Sequence, residues 1–498
     1  MGVLSNLEPQ KVFYYFEEIT RIPHGSGNVE QISDYLVEFA RSRNLEVIQD
    51  ALKNVIIFKE ATPGYEAEPA VILQGHMDMV AVKEPGCPKD MRTEGLQVAV
   101  DGDRIYAEHT SLGGDDGIAV AYALALLDAQ DIPHPRLEVV ITVDEEVGMD
   151  GARGIELSML QGNRLVNLDS EEEGVFLTGC AGGARVNCKL SMKKEPCAGT
   201  VCSLYIGGLL GGHSGEEIQK ERGNSNSLFG RVLRALSKSY PVRLIHVEGG
   251  LADNAIPRET RAELLFSPDC GNCQKHSENM EKFGIPEMLE KLKNEIAAEL
   301  ASKDPGFTMR WEFGGSEEKT AALSVEDTRR AAAMLTGLPN GVQNMSADMP
   351  GLVETSLNLG ILKLEEEGLT AEFSVRSSIE SARDALIEKL GAITELAGGT
   401  VSVSGVYPGW KYRADSPLRE KMIRVYREMY GREPRVEAIH AGLECGLLGS
   451  KIHDLDCVSI GPDMQAIHTT EETLSISSTR RVWEYLLRLL AEKEAGQS

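Results

Sequence analysis

His76 and Asp78 stand two residues apart in Gly75-His-Met-Asp-Met-Val80, directly after the apolar run Val71-Ile72-Leu73. In extended backbone, residues i and i+2 point the same way, so an imidazole and a carboxylate are presented side by side. Alone, such a pair is most simply a polar loop after a core strand. The arrangement recurs, however. Ser111 to Gly117 (SLGGDDG) puts Asp115 and Asp116 in a glycine-rich turn before an apolar, alanine-rich helix. Glu145 and Glu146 follow the run Leu137 to Val143, Asp169 follows Leu165 to Leu168, and His468 lies in the loop after Cys457 to Ile460. Acids at the ends of buried strands are costly unless paired or bound to metal. Asp78, Asp115, Glu145, Glu146 and Asp169, with His76 and His468, make a mixed His/carboxylate donor set, and divalent-metal chemistry is the expectation. The glycine-rich turn could hold a phosphate, but its two aspartates would repel one, so a cation is expected there.

The elements that must position these residues are short, continuously apolar strands, as in a parallel sheet buried on both faces. Open α/β sheets carry their chemistry at the carboxyl ends of such strands. Helical spacing runs from about Pro9 to Arg43, broken at Pro23 to Gly27, and short strands are expected near 45–49 and 55–58. Between about 186 and 399 the organisation changes. Strand and helix patterns alternate there without further strand-plus-acid junctions, and the later part (357–364, 369–377, 382–390) restates the earlier as a degenerate duplication. The ligand candidates fall on either side of this block. The expected architecture is therefore α/β: a mixed-sheet, three-layer catalytic domain in two parts, 1–186 and 400–498, with an inserted α+β lid domain at 187–399. Linkers are expected near 184–189 and 398–401.

Composition narrows the function classes. With 498 residues, 42% of them apolar, more than one core is expected. A net charge of −26 argues against nucleic acid and against an anionic membrane surface. No apolar run approaches a membrane span, and the N-terminal residues lack the basic start and apolar stretch of a signal peptide. Asn6 stands where an N-myristoylation motif wants Ser or Thr. Nine scattered cysteines suit reduced thiols, and Cys270-Gly-Asn-Cys273 reads as a thiol pair in a surface loop rather than half a zinc ribbon. A cytoplasmic protein is expected.

The GHMDMV stretch, the Gly-Gly-Asp-Asp-Gly turn, Glu145-Glu146, Asp169 and the late His468 together resemble the co-catalytic zinc peptidases that include carboxypeptidases, tripeptidase, peptidase V and carnosinase. His440 to Gly446 (HAGLECG) and the long insertion look most like the aminoacyl-histidine dipeptidase subgroup. The resemblance implies two divalent ions, zinc first with cobalt or manganese as alternatives, bridged by Asp115. His76 and Asp169 would hold one, Glu146 and His468 the other. It implies Glu145 as general base and Asp78 behind His76, fixing the ring. It also implies His213, in Gly-Gly-His-Ser-Gly, as a donor to the tetrahedral oxyanion. Asn254 and Arg376 match positions that bind the C-terminal side of a small peptide substrate. Relatives commonly carry Asn after the bridging aspartate, where this chain has Asp116, so spacing favours Asp115 as the bridge without excluding its neighbour. The peptide bond after the bridging residue is cis in the family.

The expected function is hydrolysis of dipeptides, Xaa-His such as carnosine foremost. A tripeptidase or an N-acyl amino acid deacylase would use the same metal residues. A non-catalytic metal-binding protein is the alternative from another class, disfavoured by the unligated base Glu145. A two-metal phosphodiesterase lacks a basic phosphate clamp. Monomer and homodimer are both left open.

Overall fold

The computed structural model describes residues 2–266, 284–347 and 349–493; Cys270 and Cys273 lie outside them. The chain divides into two compact units. One comprises Met1–Cys180, Trp410–Ala438 and Leu443–Ser498, the other Ala181–Gly409 and Ile439–Gly442. The crossings at 180/181 and 409/410 differ from the expected linkers because the Thr400–Tyr407 strand pairs with Gly182–Ser191, which binds both ends of the insertion into one sheet. The return of Ile439–Gly442 to the second unit has no counterpart in the sequence reading.

In the first unit the described residues form an eight-stranded mixed sheet. Its order is 46–49, 55–59, 137–142, 71–76, 164–167, 456–459, 175–180 and 435–439. The central pairings of Val71–His76 with Leu137–Thr142 and Arg164–Asn167, and of Arg164–Asn167 with Asp456–Ser459, are parallel. The outer Glu46–Gln49, Val55–Lys59 and Val175–Cys180 pair antiparallel. Val71–His76 and Leu137–Thr142 are buried at every position, as their unbroken apolar character requires. Three layers follow from which side chains meet which helix. Gly75 faces Gly114–Asp128, where a Cβ would fall 2.4 Å from Asp116 Oδ2 and 2.6 Å from Ala119. Gln74 points the other way and bonds Glu444 of the Glu444–Lys451 helix. Apolar on all sides, Gly114–Asp128 is buried in all but its last residue. It packs in one core with the Gln10–Thr20 and Ile476–Ala491 helices.

The second unit's sheet is nine-stranded among the described residues, and its pairings are antiparallel. It is two βαββαβ halves joined edge to edge. In one half the strands lie in the order 308–322, 195–207, 260–266, 242–249, with helices Ser225–Ser239 and Ile285–Leu300. In the other the order is 353–365, 368–377, 182–191, 400–407, with helices Val325–Gly337 and Glu380–Leu396. Both are the split βαβ arrangement, the strand that comes first along the chain in each half lying inside its sheet. The seam is Val242–Gly249 against Val353–Glu365. The repeat is nested: the first half is inserted after the opening strand of the second, whereas the sequence suggested two copies end to end. The first strand of the outer copy stands far upstream of its own helix, and a tandem comparison cannot see that.

Candidate metal centre and substrate residues

His76 ends its strand with 1% of its side chain exposed. Its Nε2 lies 3.1 Å from Asp115 Oδ1 and 3.6 Å from Asp169 Oδ1. The other Asp115 oxygen, Oδ2, is 3.1 Å from His468 Nε2, which in turn is 2.9 Å from Glu146 Oε1. Five residues from three strand ends, one glycine-rich turn at a helix start and one late loop thus converge, across more than 350 residues of chain. The Asp115–Asp116 peptide is cis.

Asp116, the alternative left open by sequence, turns toward the helical side. Its Oδ2 accepts the His76 backbone N–H at 3.1 Å, in the space Gly75 leaves by lacking a side chain. Asp116 still has an oxygen within reach of a group with His76 and Asp169. Asp115 alone faces both histidines.

Asp78 lies behind His76, but the ring is not held by its carboxylate alone. His76 Nδ1 is 3.0 Å from the Asp78 backbone carbonyl and 3.5 Å from Oδ1. The buried carboxylate accepts from Ser26 Oγ at 2.8 Å and from the backbone N–H of Glu145 at 3.1 Å and of Glu146 at 3.4 Å. It therefore also anchors the turn that carries the two glutamates. That turn begins at Asp144, which has φ 54°. Leaving the strand there removes the alternation that would point the two glutamates apart.

The electrostatics fit cations. Burial opposes charging of His76, yet hydrogen bonds to Asp115, Asp169 and Asp78 outweigh it and push the imidazole well above its usual range. Asp115 and Glu146 raise His468 to about 11. Burial, with the Asp115 and Glu146 carboxylates, raises Asp169 to about 6 despite His76. Burial, with Asp169, Glu444 and Glu146, pushes Glu145 well above the carboxylate range. Protons held this tightly by convergent acids and imidazoles mark a place that divalent ions would take over. Among the described residues, three groups bring one donor atom from each member within 4.8 Å: His76, Asp116 and Asp169; His76, Glu145 and Glu146; Asp115, Glu146 and His468.

Sequence reasoning gave no role to Glu444, although it lies in the quoted HAGLECG. Fully buried, it accepts from Gln74 Nε2 at 2.6 Å and Thr142 Oγ1 at 2.5 Å, while Asn167 donates to Gln74 Oε1 at 2.7 Å. Burial above all, with Asp169 and Asp78 adding to it, raises this carboxyl to about 8. Gln74 and Thr142 in apolar strands were the available signal, but their partner is some 300 residues or more away.

The second unit gathers a different set. His213 lies in Gly212–His213, paired with Ala255–Ile256, and the Asn254 carbonyl accepts from Ser214 N at 2.8 Å; the Asn254 side chain is exposed. Arg376 is 8% exposed and donates to Tyr407 Oη at 3.2 Å, while its Nε has no partner. Its cross-strand neighbour Ser356 lies 2.7 Å from His440 Nε2. A Cβ on Gly215 would fall 2.7 Å from the His440 carbonyl, 3.0 Å from His213 Cε1 and 3.3 Å from Arg376 Cζ, so glycine there lets the three come together. Burial and then Arg376 lower both histidines, His440 to about 3. His440 was missed as a partner of Arg376 because it reaches this unit only through the four-residue return.

The chain belongs to Peptidase family M20/M25/M40, whose sequence profile it matches over residues 72–492. It is a peptidase, a hydrolase with a mixed α/β fold, as its motifs had suggested. Within that family it is 36% identical over 494 residues to the cytosol non-specific dipeptidase of Escherichia coli (strain K12), covering 99% of both chains. It is similar to the crystal structure of aminoacylhistidine dipeptidase from Vibrio alginolyticus, with a TM-score of 0.88, 35% identity and 99% of both chains covered. Aminopeptidase PepT from Bacillus cereus ATCC 10987 shares the fold at a TM-score of 0.54 and 16% identity, over 97% of this chain and 98% of that one.

Proposed function

We propose that this peptidase is a cytoplasmic dipeptidase using two divalent ions, zinc first. The observation that carries the reading is Asp115, which turns one oxygen to His76 and the other to His468. His76 with Asp169 would hold one ion, Glu146 with His468 the other, and Asp115 would bridge them. Two ions so held would lower the pKa of a water and polarise the scissile carbonyl. Glu145 is the base: it takes the proton of the attacking water and gives it to the leaving amine. Asp78 orients His76 and, through the Glu145 and Glu146 N–H groups, the base itself.

In the second unit Arg376 is assigned the substrate's terminal carboxylate, which a guanidinium meets through paired hydrogen bonds. The unpartnered Nε supports that assignment. His213, kept neutral beside Arg376, is assigned to donate to the oxyanion, and Asn254 to contact the peptide's C-terminal side. The names of the two relatives differ in breadth, and our reading favours Xaa-His substrates such as carnosine. The test is a panel of dipeptides, tripeptides and N-acetyl amino acids, with and without chelator. We expect Xaa-His dipeptides to give the highest kcat/KM and chelation to abolish turnover. Faster cleavage of tripeptides or N-acetyl amino acids, or turnover indifferent to chelator, overturns the reading.

A further inference from the structure

The turn that supplies Asp115 presents two faces. Its Asp115 side chain points to both histidines, while its backbone N–H groups converge on a single carboxylate. Glu472, 3% exposed, accepts from Leu112 N at 2.8 Å and Gly113 N at 3.1 Å through Oε2. Through Oε1 it accepts from Gly114 N at 2.8 Å and Asp115 N at 3.4 Å. The anion that a glycine-rich turn at a helix start is built to bind is thus a glutamate of the same chain. The turn's backbone thus meets an anion, while the cation expected there from the sequence would belong to its side chains.

Glu472 stands four residues after His468, between the tip that follows Met464–Gln465 and the Thr473–Ser475 strand paired with it. His468 itself has φ 62° and a side chain 43% exposed. It therefore has little packing of its own to hold it, in contrast to His76, which a buried strand fixes. Asp115 and His468 are 353 residues apart, and the Glu472 contacts join the two segments that bear them.

We infer that Glu472 is a positioning residue that staples the His468 loop to the Asp115 turn, and so builds the Asp115, Glu146 and His468 ion site. The inference rests on the two-ion reading above. His76 and Asp169 sit at strand ends and do not depend on this staple. Loss of Glu472 should therefore cost the two ions unequally. Groups that orient metal ligands typically matter by about 10- to 100-fold in affinity.

The experiment uses the full chain, stripped by chelator and titrated with Zn2+ in competition with a chromogenic chelator. Wild type is expected to take up two ions. Glu472→Gln, nearly the same shape but with one acceptor oxygen replaced by a donor, should weaken one ion by at least about tenfold and leave the other within about threefold. In a His468→Ala background, which removes a ligand of the same ion, adding Glu472→Gln should change the remaining affinity by less than about threefold. Glu472→Asp, milder and too short to reach all four N–H groups, should shift the same ion by less, and it serves if the Gln variant does not fold. A general structural role would lower the thermal midpoint without separating the two affinities. Equal weakening of both ions, or wild-type affinity for both, overturns the inference. A wild type that binds one ion or none overturns instead the two-ion reading beneath it.

Discussion

Each unit sets two histidines beside charge, and the two environments act in opposite directions. In the first, carboxylates surround His76 and His468 and hold protons on them far above the usual imidazole range. In the second, burial and Arg376 strip His213 and His440 of theirs. The first arrangement stores positive charge that metal ions can replace. The second leaves a buried guanidinium with its Nε unpartnered, which suits an anionic group arriving from outside. In the proposed reading one residue type would serve as ligand in one unit and as neutral donor in the other, according to the charge beside it.

The sharpest test of the first environment is Glu145→Gln. It should lower turnover by about 10²–10⁴ while metal content stays at the wild-type value, because the proposed ligands are untouched. Metal analysis of the same preparation used for the rate decides it; metal lost with activity would make Glu145 a ligand instead of a base. His213→Ala probes the second environment. We expect kcat to fall by about 10²–10³, as for loss of one oxyanion donor, again with metals intact. A kinetically silent variant would remove His213 from the chemistry and leave that unit a binding role only.

Arg376→Ala should act mainly on KM, raising it about ten- to hundredfold, since a carboxylate partner binds ground and transition states alike. A change confined to kcat would break the assignment. Glycinamide-type dipeptides, lacking the carboxylate, should lose the same factor on the wild type and none on the variant.

The pH dependence of stability is the smallest effect and the most direct reading of the opposition. In chelator-treated protein, Asp169 at about 6 and Glu444 at about 8 are raised above their unfolded values of about 4 to 4.5. The fold then binds more protons than the unfolded chain, so their contribution is full below about pH 4 and is lost as pH rises through 6 and 8. His440, lowered to about 3, has the reverse sign: its contribution is present above about 6.5 and is lost as pH falls toward 3. Glu444→Gln should flatten the alkaline side of a plot of thermal midpoint against pH, and His440→Gln the acid side. If both variants shift the curve without changing its shape, the two environments are not opposed.

Much of the first unit could be read along the chain. A strand buried on both faces is an unbroken apolar run, and its polar ending marks where the sheet opens to chemistry. Local periodicity alone therefore located His76, Asp78, Glu145, Glu146 and Asp169 at strand ends. Family motifs then separated Glu145 from Glu146, which strand alternation could not do, and the turn at Asp144 supplies the geometry that allows it. The second unit was less legible. The segments at 357–364, 369–377 and 382–390 lie where two strands and a helix are found, but the nesting of its two halves was not expected, since pairing in a sheet leaves no mark on the strand's own residues.

What the sequence determined by itself is the inventory: which side chains could hold a cation, and which strands and helices could carry them. Hydrophobic burial acts on each segment through its own period, so that much is local. What only the tertiary structure decided is partnership. Asp115 rather than Asp116 faces both histidines because Asp116 turns into the gap at Gly75. Glu444 and Glu472, two of many acidic residues in a chain with net charge −26, are set apart only because folding seals them against Gln74 and Thr142 or against four backbone N–H groups. His440 meets Arg376 only because four residues of chain cross between units. Hydrogen bonds and charge interactions act over a few ångströms in space whatever the separation along the chain, and no pattern in the sequence records that proximity.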